Sequence, residues 1–181
     1  EHYLEEHPDD GNARAKLAYI FFTGAIGVKP LVDATEYVAE AVGQAAVKFA
    51  LLKSNVGENV TFDFGQSVTF EGASGPYLQY TYARAKSVLR KAKSHKGTQT
   101  PLPREVLTAL SRYDEVLVKA AGEKSPSSLA MYLYDLAQRF NAFYNGNKIG
   151  EDGQRLWLTG AVASVLKSGL GLLGISAPEE M

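Results

Sequence analysis

Three prolines, Pro76, Pro103 and Pro126, each stand at the head of a stretch that reads as a helix. Proline at the first helical position has its φ preset and has no N–H to leave unpaired. These prolines therefore mark where helices begin. The spacing predicts helices over about 76–94, 103–121 and 126–144, each closed by a loop or a glycine. Ser125 precedes Pro126 as an N-cap residue. Upstream, Tyr37, Val38, Ala41, Val42, Ala45, Ala46, Phe49 and Leu52 recur at three- and four-residue steps and predict a helix over about 32–54. Leu156, Trp157, Val162, Val165 and Leu166 are the apolar positions of a last helix, over about 154–168. Four or five helices joined by short loops make an all-α helical bundle. The exception is a short extended segment around 60–70, where Val60, Phe62 and Phe64 alternate with polar residues but are too few for an independent sheet.

The chain of 181 residues is one large domain or two small ones. Its 45% apolar and 22% charged residues are globular proportions. The absence of cysteine excludes disulfides, zinc–thiolate sites, Fe–S clusters and thiol nucleophiles. His2, His7 and His95 are scattered, so a histidine-rich metal site is not expected. No apolar run reaches the roughly 18–20 residues of a membrane span. The first residue is Glu and no signal peptide pattern follows it, so the expectation is a piece of a longer cytoplasmic protein.

No catalytic constellation is found. Nucleophilic catalysis needs a base beside the nucleophile, and the Ser and Thr residues stand mainly at caps and loops. His95 ends a basic helix, where a solvated role is expected. Glu151-Asp152 and Glu179-Glu180 are adjacent pairs that do not share a helix face, and read as helix-entry and tail charges. Gly169-Leu170-Gly171-Leu172-Leu173-Gly174 has the spacing of a dinucleotide fingerprint, but that fingerprint follows a strand and opens a helix. Here a helix precedes it, so the glycines read as a helix C-terminus at left-handed positions, with leucines packing back.

The net charge of −1 hides a segregation. The first ten residues hold five acids, whereas Gly72 to Arg104 holds none. That second stretch carries Arg84, Lys86, Arg90, Lys91, Lys93, Lys96 and Arg104. A charge run is commonly a solvated helix face, but one this long also suits phosphates. Within it Tyr77, Tyr80 and Arg84 fall on one helix face, while Gln79 and Tyr82 point elsewhere. Tyrosines followed by cations suit single-stranded RNA, whose bases stack on aromatic faces while cations track the backbone. A tyrosine face on a bundle helix also suits a core with hydroxyls bonded at its edge. The chemistry alone leaves both readings open.

Several segments carry a resemblance. Phe70 to Arg84, Phe-Glu-Gly-Ala-Ser-Gly-Pro-Tyr-Leu-Gln-Tyr-Thr-Tyr-Ala-Arg, resembles the signature of the C-terminal, all-helical anticodon-binding domain of arginyl-tRNA synthetases. Residues 38–49 resemble the helix that starts that domain, 132–144 its central helix, 165–175 its last helix, and 177–181 the end of the family's chain. The resemblance spans residues 37–181, leaving 1–36 as a linker or a divergent edge of a preceding domain.

The resemblance implies a tRNA anticodon-binding module whose partners are tRNA-Arg and the catalytic domain of the same synthetase, with no membrane and no DNA. It implies that Tyr77, Tyr80, Tyr144 and Met181 form the pocket for splayed anticodon bases. Arg84, Lys86, Arg90, Lys91 and Lys93 are the phosphate-backbone candidates, and Tyr82, Tyr132 and Tyr134 core or supporting positions. Glu180 stands where the family commonly has Arg, and a carboxylate there repels a nearby phosphate. The family's His-x-Gly-His and Lys-Met-Ser-Lys elements are absent, so this stretch is not expected to activate arginine. No cofactor is expected in this chain; ATP and Mg belong to the parent enzyme, an arginine–tRNA ligase. The alternative is a synthetase-derived helical scaffold that binds protein without RNA specificity.

Overall fold

The structure, a computed structural model, describes residues 30–55, 57–60, 62–92, 101–150 and 152–181. Two compact units divide the chain, Glu1–Ala41 and Val42–Met181. The described part of the first is the N-terminal stretch of α1 (Pro30–Leu52). Its Tyr37 side chain is exposed and its Ala41 buried.

The second unit begins with the rest of α1, which buries Ala45, Ala46, Phe49 and Ala50. Next comes a helical turn, α2 (Phe64–Ser67), inside the segment whose alternation suggests extended chain. The Asp63 carboxylate accepts from Gln66 N–H at 2.9 Å, and its carbonyl accepts from the Ser67 hydroxyl at 2.6 Å. Those local bonds outweigh the weak strand preference of so short a run. No strand occurs among the described residues.

Helix α3 (Gly75–Lys91) has Ser74 as its N-cap and Pro76 in its first turn. The Ser74 hydroxyl oxygen accepts from Tyr77 N–H at 3.2 Å. Gly75 is required by proximity: a Cβ there would collide with the carbonyl of Ala45 on α1. The buried residues of α3 include Leu78, Gln79, Thr81, Tyr82 and Ala85.

The expected helix over 103–121 is two helices, α4 (Arg104–Ser111) and α5 (Tyr113–Gly122), split at Arg112. No proline or glycine stands at the split. Two hydrogen bonds meet there instead. Arg112 N–H bonds the Ala109 carbonyl at 3.2 Å in a tightened turn, and the Tyr132 hydroxyl donates to the same carbonyl at 2.9 Å.

Helix α6 (Pro126–Asn145) packs against α3, α4, α5 and α7 and is the central helix. Leu129, Leu133, Leu136, Ala137 and Phe140 are its buried stripe, as the spacing predicts. Ser125 holds the N-cap position, yet its hydroxyl pairs with that of Ser127 at 2.8 Å and caps no backbone N–H.

Helix α7 (Gly153–Leu172) starts on Asp152, whose carboxylate accepts from Gln154 and Arg155 N–H. It runs one turn past its expected end near Ser168, because Gly169 and Gly171 are helical and only Gly174 has a positive φ, +67°. Gly169 faces α6, where a Cβ would lie 2.5 Å from a methyl of the buried Leu133. The end is a Schellman motif: Ile175 N–H bonds Leu170 O at 2.9 Å and Gly174 N–H bonds Gly171 O at 3.0 Å. Leu170 and Ile175, its apolar pair, are buried. Trp157, counted among the apolar positions of this helix, is 63% exposed.

Beyond α7 the chain returns along α3. Gln79 donates to Ser176 O at 2.8 Å, and the Tyr82 hydroxyl donates to Glu179 at 3.3 Å. These bonds hold the last residues alongside α3. Among the described residues, no helix is long and apolar enough to cross a membrane.

Candidate nucleic-acid interface

An open cleft of about 510 Å³ lies between α3, the end of α6 and the C-terminus. Tyr80, Arg84, Arg90 and Lys91 line it from α3, Tyr144 from α6, and Met181 from the tail. The helical spacing places Tyr80 and Arg84 one turn apart, and the Schellman turn with its buried Ile175 directs the tail back to them.

Arg84 is the hub. Its guanidinium carbon lies 4.6 Å from the Tyr80 ring centre and 5.0 Å from that of Tyr144. A cation held over two rings is attracted by both faces. Its nitrogens also donate to Asn141 Oδ1 and to the Tyr80 hydroxyl, each at 2.9 Å. Phe70 packs edge-on against the Tyr80 ring at 5.9 Å between centres, and Tyr144 tilts against the buried Phe140. The rings are thus braced from behind.

Tyr77 takes a different place from Tyr80 on the same helix. It is half-buried against the core, is not in the cleft wall, and meets Tyr134 edge-on at 5.7 Å. Its hydroxyl accepts from Asn141 Nδ2 at 3.0 Å. Tyr82 and Tyr132 are core residues and Tyr134 is partly buried, matching their assignment as core or supporting positions.

Acid and base meet at the cleft rim. Lys86 lies 3.0 Å from Glu179, and Arg90 2.9 Å from Glu180. Lys167 approaches Glu179 at 4.0 Å. The hydrogen bond from Lys86 holds the Glu179 carboxyl below the usual carboxylate range, against a smaller desolvation effect. Burial, then the Glu179 charge, pushes the Tyr82 hydroxyl up. Among the phosphate-backbone candidates, Arg84, Lys86 and Arg90 are therefore engaged within the chain, Lys91 lines the cleft, and Lys93 lies outside the described residues, as does His95.

Asn141 is the residue that the sequence reading passes over. Its signal is present, however: it is a polar residue four positions after Ala137, on the continuation of the buried stripe of α6. Among the described residues no cluster of three or more His, Asp or Glu side chains is arranged to hold a metal.

The sequence profile of the DALR anticodon binding domain matches residues 78–181, which include all of these cleft residues. The chain belongs to the DALR anticodon-binding family. It is similar to the arginine–tRNA ligase of Limosilactobacillus fermentum, at 43% identity over 84% of this chain and 29% of that protein. The arginine–tRNA ligase of Streptococcus uberis is 40% identical over the same shares. Among solved structures, the Thermus thermophilus arginyl-tRNA synthetase superimposes with a TM-score of 0.79 at 31% identity, covering 98% of this chain and 32% of that one. The chain thus spans under a third of the length of these DALR-family relatives.

Proposed function

We propose that this chain is the tRNA anticodon-binding module of an arginyl-tRNA synthetase. The observation that carries the reading is the cleft itself, with Tyr80 and Tyr144 flanking Arg84, Met181 at its edge and cations along its rim. Unpaired bases stack on such rings for about 1–3 kcal/mol each, and the rim cations follow the backbone. Tyr80, Tyr144 and Met181 are the base-contacting residues in this reading. Tyr77 braces Tyr134 and Asn141 behind them and meets the RNA only if the cleft opens further. Lys91, with Lys93 beyond it, takes phosphates first, and Lys86 and Arg90 do so once their carboxylate partners leave.

Residues 37–181 form the binding domain, and 1–36 a linker or the edge of a preceding one. The module positions tRNA-Arg for a catalytic domain of the same protein, which uses ATP and Mg and lies in the cytoplasm. Anticodon contacts made at this end contribute specificity by differential binding.

The test is binding of the chain to an arginine-tRNA anticodon stem–loop and to a copy with the central anticodon base changed. About tenfold discrimination, lost on Tyr80→Ala, supports the reading; that factor corresponds to roughly 1.4 kcal/mol, within the worth of one stacked base. Affinity should also fall steeply between about 50 and 200 mM salt. Equal, weak binding to both RNAs would instead favour a scaffold that binds protein.

A further inference from the structure

Asn141 is 8% exposed and reaches three side chains of α3. Arg84 Nη1 meets its Oδ1 at 2.9 Å, while its Nδ2 meets Thr81 Oγ1 at 2.8 Å and the Tyr77 hydroxyl at 3.0 Å. Arginine has only donors, so the amide oxygen must face Arg84. The amide nitrogen then faces Thr81 and Tyr77, and both of their oxygens accept. Thr81 directs its own proton to the Tyr77 carbonyl at 2.9 Å, which agrees with that assignment.

The consequence reaches the cleft through the other arm of Arg84. Nη2 donates to the Tyr80 hydroxyl at 2.9 Å. A hydroxyl that accepts from arginine cannot aim its proton back at it. The Tyr80 proton therefore points away from Arg84, and Tyr80 is part of the cleft wall. The buried amide of Asn141 thus holds in place the guanidinium whose donor fixes the hydrogen-bond polarity of Tyr80, two side chains away.

We propose that Asn141 is a positioning residue which, through Arg84, presents the Tyr80 hydroxyl as a donor, so that the cleft selects an unpaired base by an acceptor on its edge. This rests on the RNA-binding reading above. A keto oxygen or a ring nitrogen satisfies the hydroxyl. An amino group in the same place sets two donors face to face and leaves both unpaired, the circumstance in which a polar site discriminates most strongly.

The experiment uses the full chain and arginine-tRNA anticodon stem–loops. Each anticodon nucleotide in turn is replaced by an analogue that keeps the ring but lacks one acceptor, either a ring nitrogen or a keto oxygen, or lacks its amino group. At one position, removal of an acceptor should weaken binding about tenfold, the scale of one hydrogen bond. Tyr80→Phe keeps the ring and should bind the unmodified and acceptor-lacking RNAs within about twofold of each other. Asn141→Asp keeps an acceptor for Arg84 and should preserve most of the discrimination. Asn141→Leu should abolish it while both RNAs still bind.

An Asn141→Leu protein that weakens every RNA by the same factor, with discrimination intact, has lost only stability and overturns the inference. So does a Tyr80→Phe protein that still discriminates, or a Tyr80-dependent loss on removing an amino group. If Asn141→Leu does not fold, Tyr80→Phe and Asn141→Asp decide. A wild-type chain that binds no stem–loop overturns the RNA reading and this inference together, whereas RNA binding without acceptor dependence overturns this inference alone.

Discussion

The Tyr132 hydroxyl, on α6, donates to the carbonyl of Ala109 at 2.9 Å, in the turn where one expected helix becomes α4 and α5. The bond is buried, so its loss leaves a carbonyl with one partner fewer and no water to replace it. Tyr132→Phe retains the ring, which stacks on Tyr113 at 5.9 Å. The substitution should cost about 1–2 kcal/mol in urea unfolding. An unchanged midpoint would show that the turn at Arg112 holds without it.

The same hydroxyl gives an alkaline signature. Burial pushes the Tyr132 pKa up to about 12, with the Tyr113 charge adding to the shift. A tyrosine in the unfolded chain titrates near 10. Between those values the unfolded state binds fewer protons than the native one, so stability falls as pH rises. The contribution is fully present below pH 10 and is lost toward pH 12. Unfolding followed from pH 9 upward should show this decline, and Tyr132→Phe should flatten it. Equal slopes in the two proteins would assign the decline to other groups.

Gly169 and Gly171 occupy the same helix and should respond oppositely to alanine. A Cβ at Gly169 would lie 2.5 Å from a Leu133 methyl, and Leu133 is wholly buried, so it has to shift within the core. Overpacking of that kind costs about 1–3 kcal/mol. A Cβ at Gly171 meets nothing within 4 Å. Gly171→Ala should therefore stabilise by up to about 1 kcal/mol through helix propensity alone. Thermal melts of the two variants check the sign, and a stabilising Gly169→Ala would refute the close α6–α7 approach.

This pair also shows where sequence reading reaches its limit. Prolines, caps and the stripe Leu129, Leu133, Leu136, Ala137 and Phe140 are local signals, and they placed the helices and the core of α6. Whether Gly169 ends a helix or admits a neighbour depends on Leu133, 36 positions away in sequence and on another helix. The bond at the Arg112 break likewise comes from Tyr132, 23 positions beyond Ala109, and the pairing of Arg84 with Asn141 spans 57 positions. Periodicity placed Tyr77 and Tyr80 on one face of α3. It could not show that Phe70 braces one of them while Tyr134 and Asn141 engage the other.

Asp152 gives a local case with a measurable cost. Its carboxylate accepts from Gln154 N–H at 2.9 Å and Arg155 N–H at 3.2 Å, and Arg155 Nε lies 3.6 Å from it. It thus meets the unpaired donors and the positive end of α7 together. Asp152→Ala should cost about 0.5–2 kcal/mol, and Asp152→Ser should recover much of it as a neutral cap. Recovery by Ser would identify capping as the main contribution, whereas failure would assign it to the Arg155 pair.

The acidic tail gives the last prediction. Glu180 lies 2.9 Å from Arg90 and Glu179 lies 3.0 Å from Lys86, so carboxylates sit where a bound phosphate would. An RNA that uses these cations has to displace them, and the displaced charges remain nearby to repel it. These pairs are half-exposed, so they add little to folding. Their effect falls on binding instead. Glu180→Gln should leave the melting temperature nearly unchanged and tighten binding of an anticodon stem–loop several-fold at low salt, the gain shrinking as salt screens the charge. With Arg90 freed to meet one more phosphate, the slope of log affinity against log salt should steepen by about 0.7–0.9. Weaker binding by Glu180→Gln would mean that the carboxylate orients Arg90 or the Met181 end for the RNA and does not compete with it.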